Sequence, residues 1–165
     1  MCANYHPVTA QDRLAQYFGV DRPLDAVPPD LYPGGLAPFI VRERDRVELA
    51  RDVRMGLFGL LPHWAKDMAF GRRTYNARSE TVTEKPSFRD AWRQGRRCVI
   101  PADADALPIF QRLHRPGEEK RMVVILDEAD YDGWLEAPLS RVAEYLRPYP
   151  AELLQAEPAP RRASI

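Results

Sequence analysis

The sequence predicts an α+β fold with a β-rich core of mostly antiparallel strands and short helices at its periphery. Three observations predict it. The chain of 165 residues contains 16 Pro and 9 Gly, and Pro at about twice its usual share of ~5% implies many turns and disfavours a helical bundle. Several short apolar runs are typical of strands. The helix-type patterns are all brief.

The first half of the chain predicts one helix and one β-hairpin. The segment TAQDRLAQYFGV reads as a helix with Thr9 as its N-cap and Gly19 at its C-terminal end. A turn-rich loop, RPLDAVPPDLYPGGLAP, follows. The runs PFIVRERDRVELA and DVRMGLFGL then predict two strands, with ERDR as the turn between them.

The middle of the chain predicts a helix and two strands. The segment SFRDAWRQG has Ser87 as a candidate N-cap and Gly95 as its stop. RRCVIPAD reads as a short buried strand that Pro101 ends, and KRMVVILD is the strongest strand pattern of the chain.

Two further helices and a tail complete the predicted organisation. DEADYDGWL begins a helix at Asp127 or Asp130, and LSRVAEYLRP is the last helix. Residues 1–154 therefore form a single domain. Residues 155–165 are mainly Pro, Ala and Arg, which predicts a disordered tail because there is almost nothing to bury.

The composition excludes several classes of protein. Apolar residues make up 45% and charged residues 29% of the chain, which is typical of a globular protein. Two cysteines, Cys2 and Cys98, rule out a disulfide framework and a cysteine-rich zinc site. His6 and His63 have no metal-ligand spacing with either cysteine, so we expect neither a metal nor a cofactor. Without an apolar run of membrane-span length or a signal peptide, we expect a cytoplasmic protein with reduced thiols.

Charge is unevenly distributed although the formal net charge is zero. Residues 66–97 contain nine basic and four acidic residues. Such a segment can hold phosphates. An ordinary solvated surface of mixed charge is the alternative.

The stretch TYNARSETV places Asn76, Arg78 and Glu80 at alternate positions. In an extended segment these three side chains would share one face. Near the other end of the chain, removal of Met1 would give Cys2 an α-amine and a thiol on neighbouring carbons. Such an aminothiol condenses with an aldehyde near neutral pH, where both groups are close to their ordinary pKa values of ~8 and ~8.5. A cysteine at a frayed terminus is the alternative.

Six segments resemble one protein family when they are taken together in order. They are the initial MC, YPGGLAPFIV, GLFGLLPHWAKD, YNARSETV, SFRDAWRQGRRCVIPAD and HRPGEEKRMVVIL. This order resembles the SOS-response-associated peptidases, also called abasic-site processing proteins, over Met1 to about Leu135. In that family the initiator Met is removed, and the new N-terminal Cys forms a thiazolidine with the ring-opened sugar of an abasic site. The resemblance implies a monomer that crosslinks to single-stranded DNA and associates with the nucleoid when it is bound to DNA.

The resemblance implies roles for particular residues. It makes Cys2 the nucleophile, Asn76 a hydrogen-bonding partner of the amine or the sugar, and His114 the group that moves protons. It makes Arg78 a phosphate contact. The DNA strand would be supported by a stacking residue and a basic run: Trp64, Lys66, Arg72 and Arg73.

Two departures from the family pattern bear on activity. Asn4 replaces an Arg that contacts DNA in the family. After Asp103 the chain is shortened as if by an internal deletion, and Leu107 stands where a catalytic Glu is expected. Three functions stay open: a slow crosslinking protein, a degenerate member that binds single-stranded DNA without catalysis, and a thiol hydrolase that uses Cys2 with His114, in that order of preference. Whether the chain is an enzyme of the autoprocessing peptidase type is left open for the same reason.

Overall fold

The structure is a computed structural model that describes residues 4–21, 26–42, 50–103 and 123–153. Helices α1 (Gln11–Phe18), α2 (Arg89–Arg93) and α3 (Tyr131–Glu136) surround an antiparallel hairpin of strands β1 (Leu36–Arg42) and β2 (Arg51–Leu57). Four 3-10 helices complete the regular structure of this part of the chain: Met68–Arg73, Glu128–Asp130, Val142–Tyr145 and Ala151–Leu153. The α+β class with antiparallel pairing is therefore confirmed. The described helices include none with the length and apolar character that crossing a bilayer requires.

Helix α1 forms where the sequence predicts it. Leu14 and Phe18, four residues apart on one face, are buried against the hairpin. Gly19 ends the helix with φ of 64°, and its N–H bonds back to the carbonyl of Ala15. The helix begins one residue later than expected, because Ala10 rather than Thr9 occupies the N-cap and no side chain caps it.

Strands β1 and β2 pair in one register from Leu36 opposite Leu57 to Arg42 opposite Arg51. Ile40 and Val53 face each other across the pair, and both are almost completely buried. The hairpin prediction is confirmed for both strands, and its predicted ERDR turn lies outside the described residues.

A pair of prolines ends the pairing on the other side of β1. Ile40 and Val99 exchange two backbone hydrogen bonds of 2.8 and 2.9 Å, and the register of this bridge places Pro101 opposite Pro38. Both prolines are buried, and neither has an N–H to donate, so the ladder cannot continue. The carbonyl of Pro101 instead accepts the N–H of Val8 at 2.9 Å. The predicted strand RRCVIPAD is therefore reduced to isolated bridges, first with β1 and then with the N-terminal segment.

The predictions for the later elements are only partly correct. In α2 the N-cap is Phe88, so the cap predicted at Ser87 is wrong, whereas Gly95 ends the helix with φ of 62°. The strand predicted in KRMVVILD is wrong for residues 123–127, which form no regular element. The helix predicted from Asp127 or Asp130 is confirmed as a 3-10 turn that leads into α3, and the last helix is reduced to Val142–Tyr145. The predicted tail, 155–165, lies outside the described residues.

Helix α3 is held on the hairpin by apolar packing and by charge. Leu135 enters the main core, and the ring of Tyr131 stacks on Phe18 with centroids 5.3 Å apart. Asp132 accepts hydrogen bonds from Arg51 (Nε to Oδ1, 2.7 Å) and Arg42 (3.2 Å). The bond from Arg51 is the main reason that the pKa of Asp132 lies below its ordinary value.

Candidate functional site

The N-terminal segment is hydrogen-bonded on both sides. Tyr5 and Leu31 exchange two backbone hydrogen bonds of 3.2 and 3.0 Å. On the other side, the N–H of Asp103 donates to the carbonyl of His6 at 2.8 Å. Residues 5–8 therefore run as an extended strand between two other segments, with Tyr5 and Pro7 buried and Asn4 and His6 exposed.

A contact between two side chains reinforces this strand. Nε2 of His6 lies 2.6 Å from Oδ1 of Asp30, one residue before Leu31. The exposed fraction is 50% for the His6 side chain and 30% for that of Asp30. The pair lies at the surface because His6 follows a buried residue on a strand and so points the other way.

Aromatic rings connect the N-terminal strand to Asn76. The ring of Tyr5 meets Phe58 edge to face with centroids 5.2 Å apart, and Phe58 meets Tyr75 in the same way at 5.9 Å. Asn76 is the next residue and is half-buried. Phe58 therefore links Tyr5 of the N-terminal strand to the residue before Asn76, whereas Cys2 lies outside the described residues.

The hydroxyl of Tyr5 is buried and has no hydrogen-bond partner in the described part of the chain. Burial raises the pKa of this hydroxyl well above its ordinary value, and the nearby Cys98 adds to the shift. A phenol of this kind stays neutral and does not serve as a base.

A cavity of about 600 Å³ opens against the segment that contains Leu31, the backbone partner of Tyr5. Its wall consists mainly of residues 26–36, Asp30 among them, with Met55 and Arg72. The side chain of Arg72 crosses Gly34 so closely that a Cβ there would lie 2.8 Å from Cγ of Arg72. Tyr32 and Leu36 are each 58% exposed at this wall. The wall of the cavity thus consists mainly of apolar residues, with one arginine and one aspartate among them.

The predicted DNA-contacting residues lie on exposed turns. Asp67 caps the 3-10 helix Met68–Arg73 by accepting the N–H of Phe70 at 3.1 Å. Phe70 in turn contacts Trp64 edge to face, with centroids 5.1 Å apart and the indole 44% exposed. The charged members of the predicted set are all exposed: Lys66, Arg72, Arg73 and Arg78.

Two close backbone contacts fix the loop that precedes Asn76. The hydroxyl of Thr74 donates to the carbonyl of Leu60 at 2.6 Å, and the N–H of Leu60 donates back to the carbonyl of Thr74 at 3.1 Å. Gly59, with φ of 142°, touches Gly71 so closely that a Cβ would overlap the Gly71 carbonyl oxygen. The chain then turns at residues 79–84, so the expected extended face does not reach Glu80, whose carboxylate accepts the hydroxyl of Ser79 at 3.3 Å.

The structure describes six of the residues that the sequence predicts for the site: Asn76, Arg78, Trp64, Lys66, Arg72 and Arg73. Three other positions that the prediction uses lie outside the described residues: Cys2, His114 and Leu107. No cluster of three potential metal ligands occurs in the described part of the chain. Sequence reasoning missed the His6–Asp30 pair and the Tyr5–Phe58–Tyr75 contact. The alternation of apolar and polar residue types at positions 5–7 was the available sequence signal for a strand. Nothing in the neighbouring sequence indicated that Asp30 would be the partner of His6.

Comparison with other proteins gives a consistent result. Residues 1–105 match the SOS response associated peptidase (SRAP) family. The abasic site processing protein YoaM of Bacillus subtilis is 53% identical over 47 residues, which are 28% of this chain and 20% of that protein. YoqW of Bacillus phage SPbeta matches with the same identity and the same shares. The match thus spans only about a fifth of the length of these curated relatives.

A crystal structure of a protein from Bordetella bronchiseptica superimposes with a TM-score of 0.77 at 29% identity. The match covers 92% of this chain and 96% of that one. Because the family match spans well over half of the sequence, the chain belongs to the SOS response associated peptidase family.

Proposed function

We propose that the protein crosslinks covalently to abasic sites in single-stranded DNA through Cys2 after Met1 has been removed. Family membership and the relatives named abasic site processing proteins support this function. The observation that carries it is the N-terminal strand, which is hydrogen-bonded on both sides and linked through Phe58 to Tyr75, the residue before Asn76. Cys2 precedes the exposed Asn4 by two residues, and two residues of chain extend no further than ~7 Å.

The proposed product is a thiazolidine. The α-amine of Cys2 attacks the aldehyde of the ring-opened sugar, water leaves, and the thiol adds to the resulting imine. Holding an aminothiol beside an aldehyde makes both additions effectively intramolecular, which is a large part of the acceleration such a site needs. In this proposal Asn76 hydrogen-bonds the amine or the sugar, and His114 moves protons.

The exposed cations and Trp64 would hold the strand. Arg78 offers a planar fork to a phosphate, and Arg72 reaches across Gly34 to the wall of the cavity. Trp64 presents part of its indole for stacking on a base, while Phe70 fixes its orientation. Contacts of this kind carry little base information, so we expect weak sequence preference.

Incubation with an oligonucleotide that contains one abasic site, followed by a denaturing gel, tests the function. Protein shown by mass to begin at Cys2 should give a shifted band, and Cys2→Ala should give none. Cys98→Ala is the matched control, because it removes the other cysteine of the chain and keeps the aminothiol of Cys2, so its loss should leave the band intact. An adduct that survives in Cys2→Ala would contradict the thiazolidine mechanism.

The non-catalytic alternative predicts binding without a covalent band. Both functions share salt-sensitive binding, because cations that neutralise phosphates release counterions. Arg78→Ala should lower the affinity for single-stranded DNA and reduce the salt slope by about 0.7. Arg141→Ala is the control, because this exposed arginine lies outside the basic segment of residues 66–97. Its side chain donates a hydrogen bond of 2.9 Å to Glu144. Binding that does not change with salt would contradict both functions.

Leu107, at the position of the expected Glu, predicts slow crosslinking and a long-lived adduct. A well-placed general acid or base contributes ~10²–10⁴-fold, so its absence slows the steps without removing the reacting groups. Asp103, four positions before Leu107 in the sequence, is a carboxylate that already accepts hydrogen bonds from Arg13 at 2.7 and 3.3 Å. Adding excess competing abasic DNA to the preformed adduct and following strand exchange measures its lifetime.

A further inference from the structure

A hydrogen-bonded turn presents an exposed tyrosine in the wall of the cavity. The N–H of Gly35 donates to the carbonyl of Tyr32 at 2.9 Å, and Gly34 between them has φ of 92°. Pro33 followed by a glycine of positive φ is the residue pattern of a type II turn. Phe58 ties this turn to the hairpin, because it accepts the N–H of Gly34 at 2.9 Å and donates to the carbonyl of Gly35 at 2.8 Å. The backbone that carries Tyr32 is therefore fixed, whereas Tyr32 itself is 58% exposed.

The rest of the cavity wall suits a flat apolar group that carries an anion. Leu36 and Met55 belong to it and offer aliphatic and thioether surface. The side chain of Arg72 lies across Gly34, where a Cβ would come within 2.8 Å of its Cγ and 2.9 Å of its Nε. The lack of a side chain at Gly34 therefore makes room for an arginine, whose planar guanidinium matches a phosphate. The cavity volume of about 600 Å³ lies within the ~300–1,000 Å³ of small-molecule sites.

The cavity adjoins the surface that is proposed to contact DNA. Arg72 belongs to the 3-10 helix Met68–Arg73, and Phe70 of the same helix contacts Trp64. Positions 70 and 72 are about 4 Å apart along the axis of such a helix, because its rise is ~2 Å per residue. A strand that stacks on the exposed indole therefore has the cavity within reach of a neighbouring nucleotide. Residues 66–97, with nine basic and four acidic residues, attract such a polyanion.

We propose that the cavity binds one unstacked base of the single strand next to the abasic site, with the base against Tyr32 and Leu36 and its phosphate on Arg72. This inference rests on the proposed function for the identity of the ligand. An abasic site has no base by which it could be held, so a neighbouring base has to fix the register of the strand. Stacking on an aromatic ring accepts every base, which agrees with weak sequence preference.

Oligonucleotides with a tetrahydrofuran in place of the abasic sugar test the site without chemistry, because this analogue has no aldehyde. A set of them lacks, in addition, one base at a time on either side of the analogue. Removal of the base that enters the cavity should weaken binding to the full-length wild-type protein by at least about 5-fold, the lower end of what one stacked base contributes. In Tyr32→Ala the same removal should have little effect, so the two changes are coupled at one position of the strand.

Two further variants separate stacking from charge. Tyr17→Ala is the matched control, because Tyr17 is 45% exposed on α1 and is not part of the cavity wall. Its affinity should equal that of wild type for every oligonucleotide. Arg72→Ala should weaken binding to all oligonucleotides alike and reduce the salt slope by about 0.7, because it removes a phosphate contact. Urea denaturation of Tyr32→Ala should match that of wild type, since the turn is held by backbone groups.

The outcomes distinguish this inference from the function on which it rests. Base removal that weakens wild type and Tyr32→Ala equally at every position would overturn the base site, even if the wild type forms the covalent adduct. Coupling between Tyr32 and one base in a protein that forms no adduct would support the base site and contradict crosslinking. A decrease in oligomeric mass on Tyr32→Ala would assign this wall to an interface between copies and overturn the base site. Protein that binds none of the oligonucleotides would overturn both.

Discussion

Two hydrophobic clusters of this molecule are built in different ways. The main core unites α1, both strands and α3 through buried aliphatic and aromatic side chains, namely Val8, Leu14, Phe18, Val20, Ile40, Val53, Val99 and Leu135. The second cluster, under the proposed site, contains Tyr5, Leu31 and Ala37, with Val27, Phe58 and Ala102 packed against it. Only Ala37 of that cluster belongs to a named helix or strand.

The difference indicates that the main core mainly stabilises the fold, whereas the second cluster mainly positions the N-terminal strand. The main core buries apolar side chains, five of the eight on regular elements, where truncation leaves a cavity. The second cluster includes a buried hydroxyl without a described partner and borders two glycines in close backbone contact, Gly59 and Gly71. It therefore depends on backbone geometry more than on side-chain volume.

The largest expected effect is in the main core. Leu14 is fully buried, so Leu14→Ala should lower the free energy of unfolding by about 2–5 kcal/mol through lost transfer energy and a residual cavity. Urea denaturation measures it. Leu61→Ala is the control, because Leu61 is 41% exposed and such surface changes usually stay within about 0.5 kcal/mol. Equal losses of unfolding free energy in Leu14→Ala and Leu61→Ala would show that burial does not determine the cost of truncation at these positions.

A second variant examines the backbone beneath the proposed site. Gly59→Ala would place a Cβ on the Gly71 carbonyl oxygen at a φ that L side chains rarely adopt, which should cost about 1–3 kcal/mol or more. Gly19→Ala also has positive φ, but its Cβ would meet only the end of Arg51 at 3.9 Å, so about 1 kcal/mol is expected. If Gly19→Ala cost more unfolding free energy than Gly59→Ala, the close contact between Gly59 and Gly71 would not be what stabilises the backbone beneath the proposed site.

The buried hydroxyl of the second cluster gives a smaller effect of opposite sign. Tyr5→Phe should raise the free energy of unfolding by about 1 kcal/mol, because the wild type desolvates a group without pairing it. The raised pKa of Tyr5 adds a pH dependence. Below pH ~10 the phenol is neutral in both the folded and the unfolded state, so the difference between the two proteins does not depend on pH; above it the unfolded phenol ionises first, and the wild type loses further stability as pH rises toward the folded pKa. Denaturation curves of both proteins between pH 8 and 11 should therefore differ by a constant amount up to about pH 10, and the difference should grow at the alkaline end.

The smallest effect belongs to the rim of the main core. The pKa of Asp132 is lowered chiefly by its hydrogen bond from Arg51, so its contribution is present above the ordinary carboxyl pKa of ~3.9 and is lost as pH falls through the folded value. The side chain is 49% exposed, and Asp132→Asn should cost under about 1 kcal/mol at pH 7. Thermal unfolding of both proteins at pH 7 and pH 3 should show the difference decrease in acid.

Local signals predicted the first cluster better than the second. Helix α1 and the hairpin follow from spacing and alternation, and Gly19 and Gly95 were recognised because positive φ favours glycine. The wrong strand at residues 123–127 shows the limit of such signals: an apolar run predicts burial, and Leu126 does pack on the core, but pairing also needs a partner backbone. The His6–Asp30 pair joins residues 24 positions apart, and no periodicity in the sequence encodes that distance.

The facing prolines at positions 38 and 101 have a consequence for the order of events during synthesis. Because they stop the ladder of β1, the carbonyl of Pro101 and the N–H of Asp103 remain for the N-terminal strand. That strand cannot gain its second neighbour until residue 103 has emerged, which at translation rates of 5–20 residues per second takes roughly 5–20 s after residue 8. During this interval the N-terminal strand can pair only with the segment that contains Leu31. The proposed removal of Met1 can therefore take place before the second pairing forms.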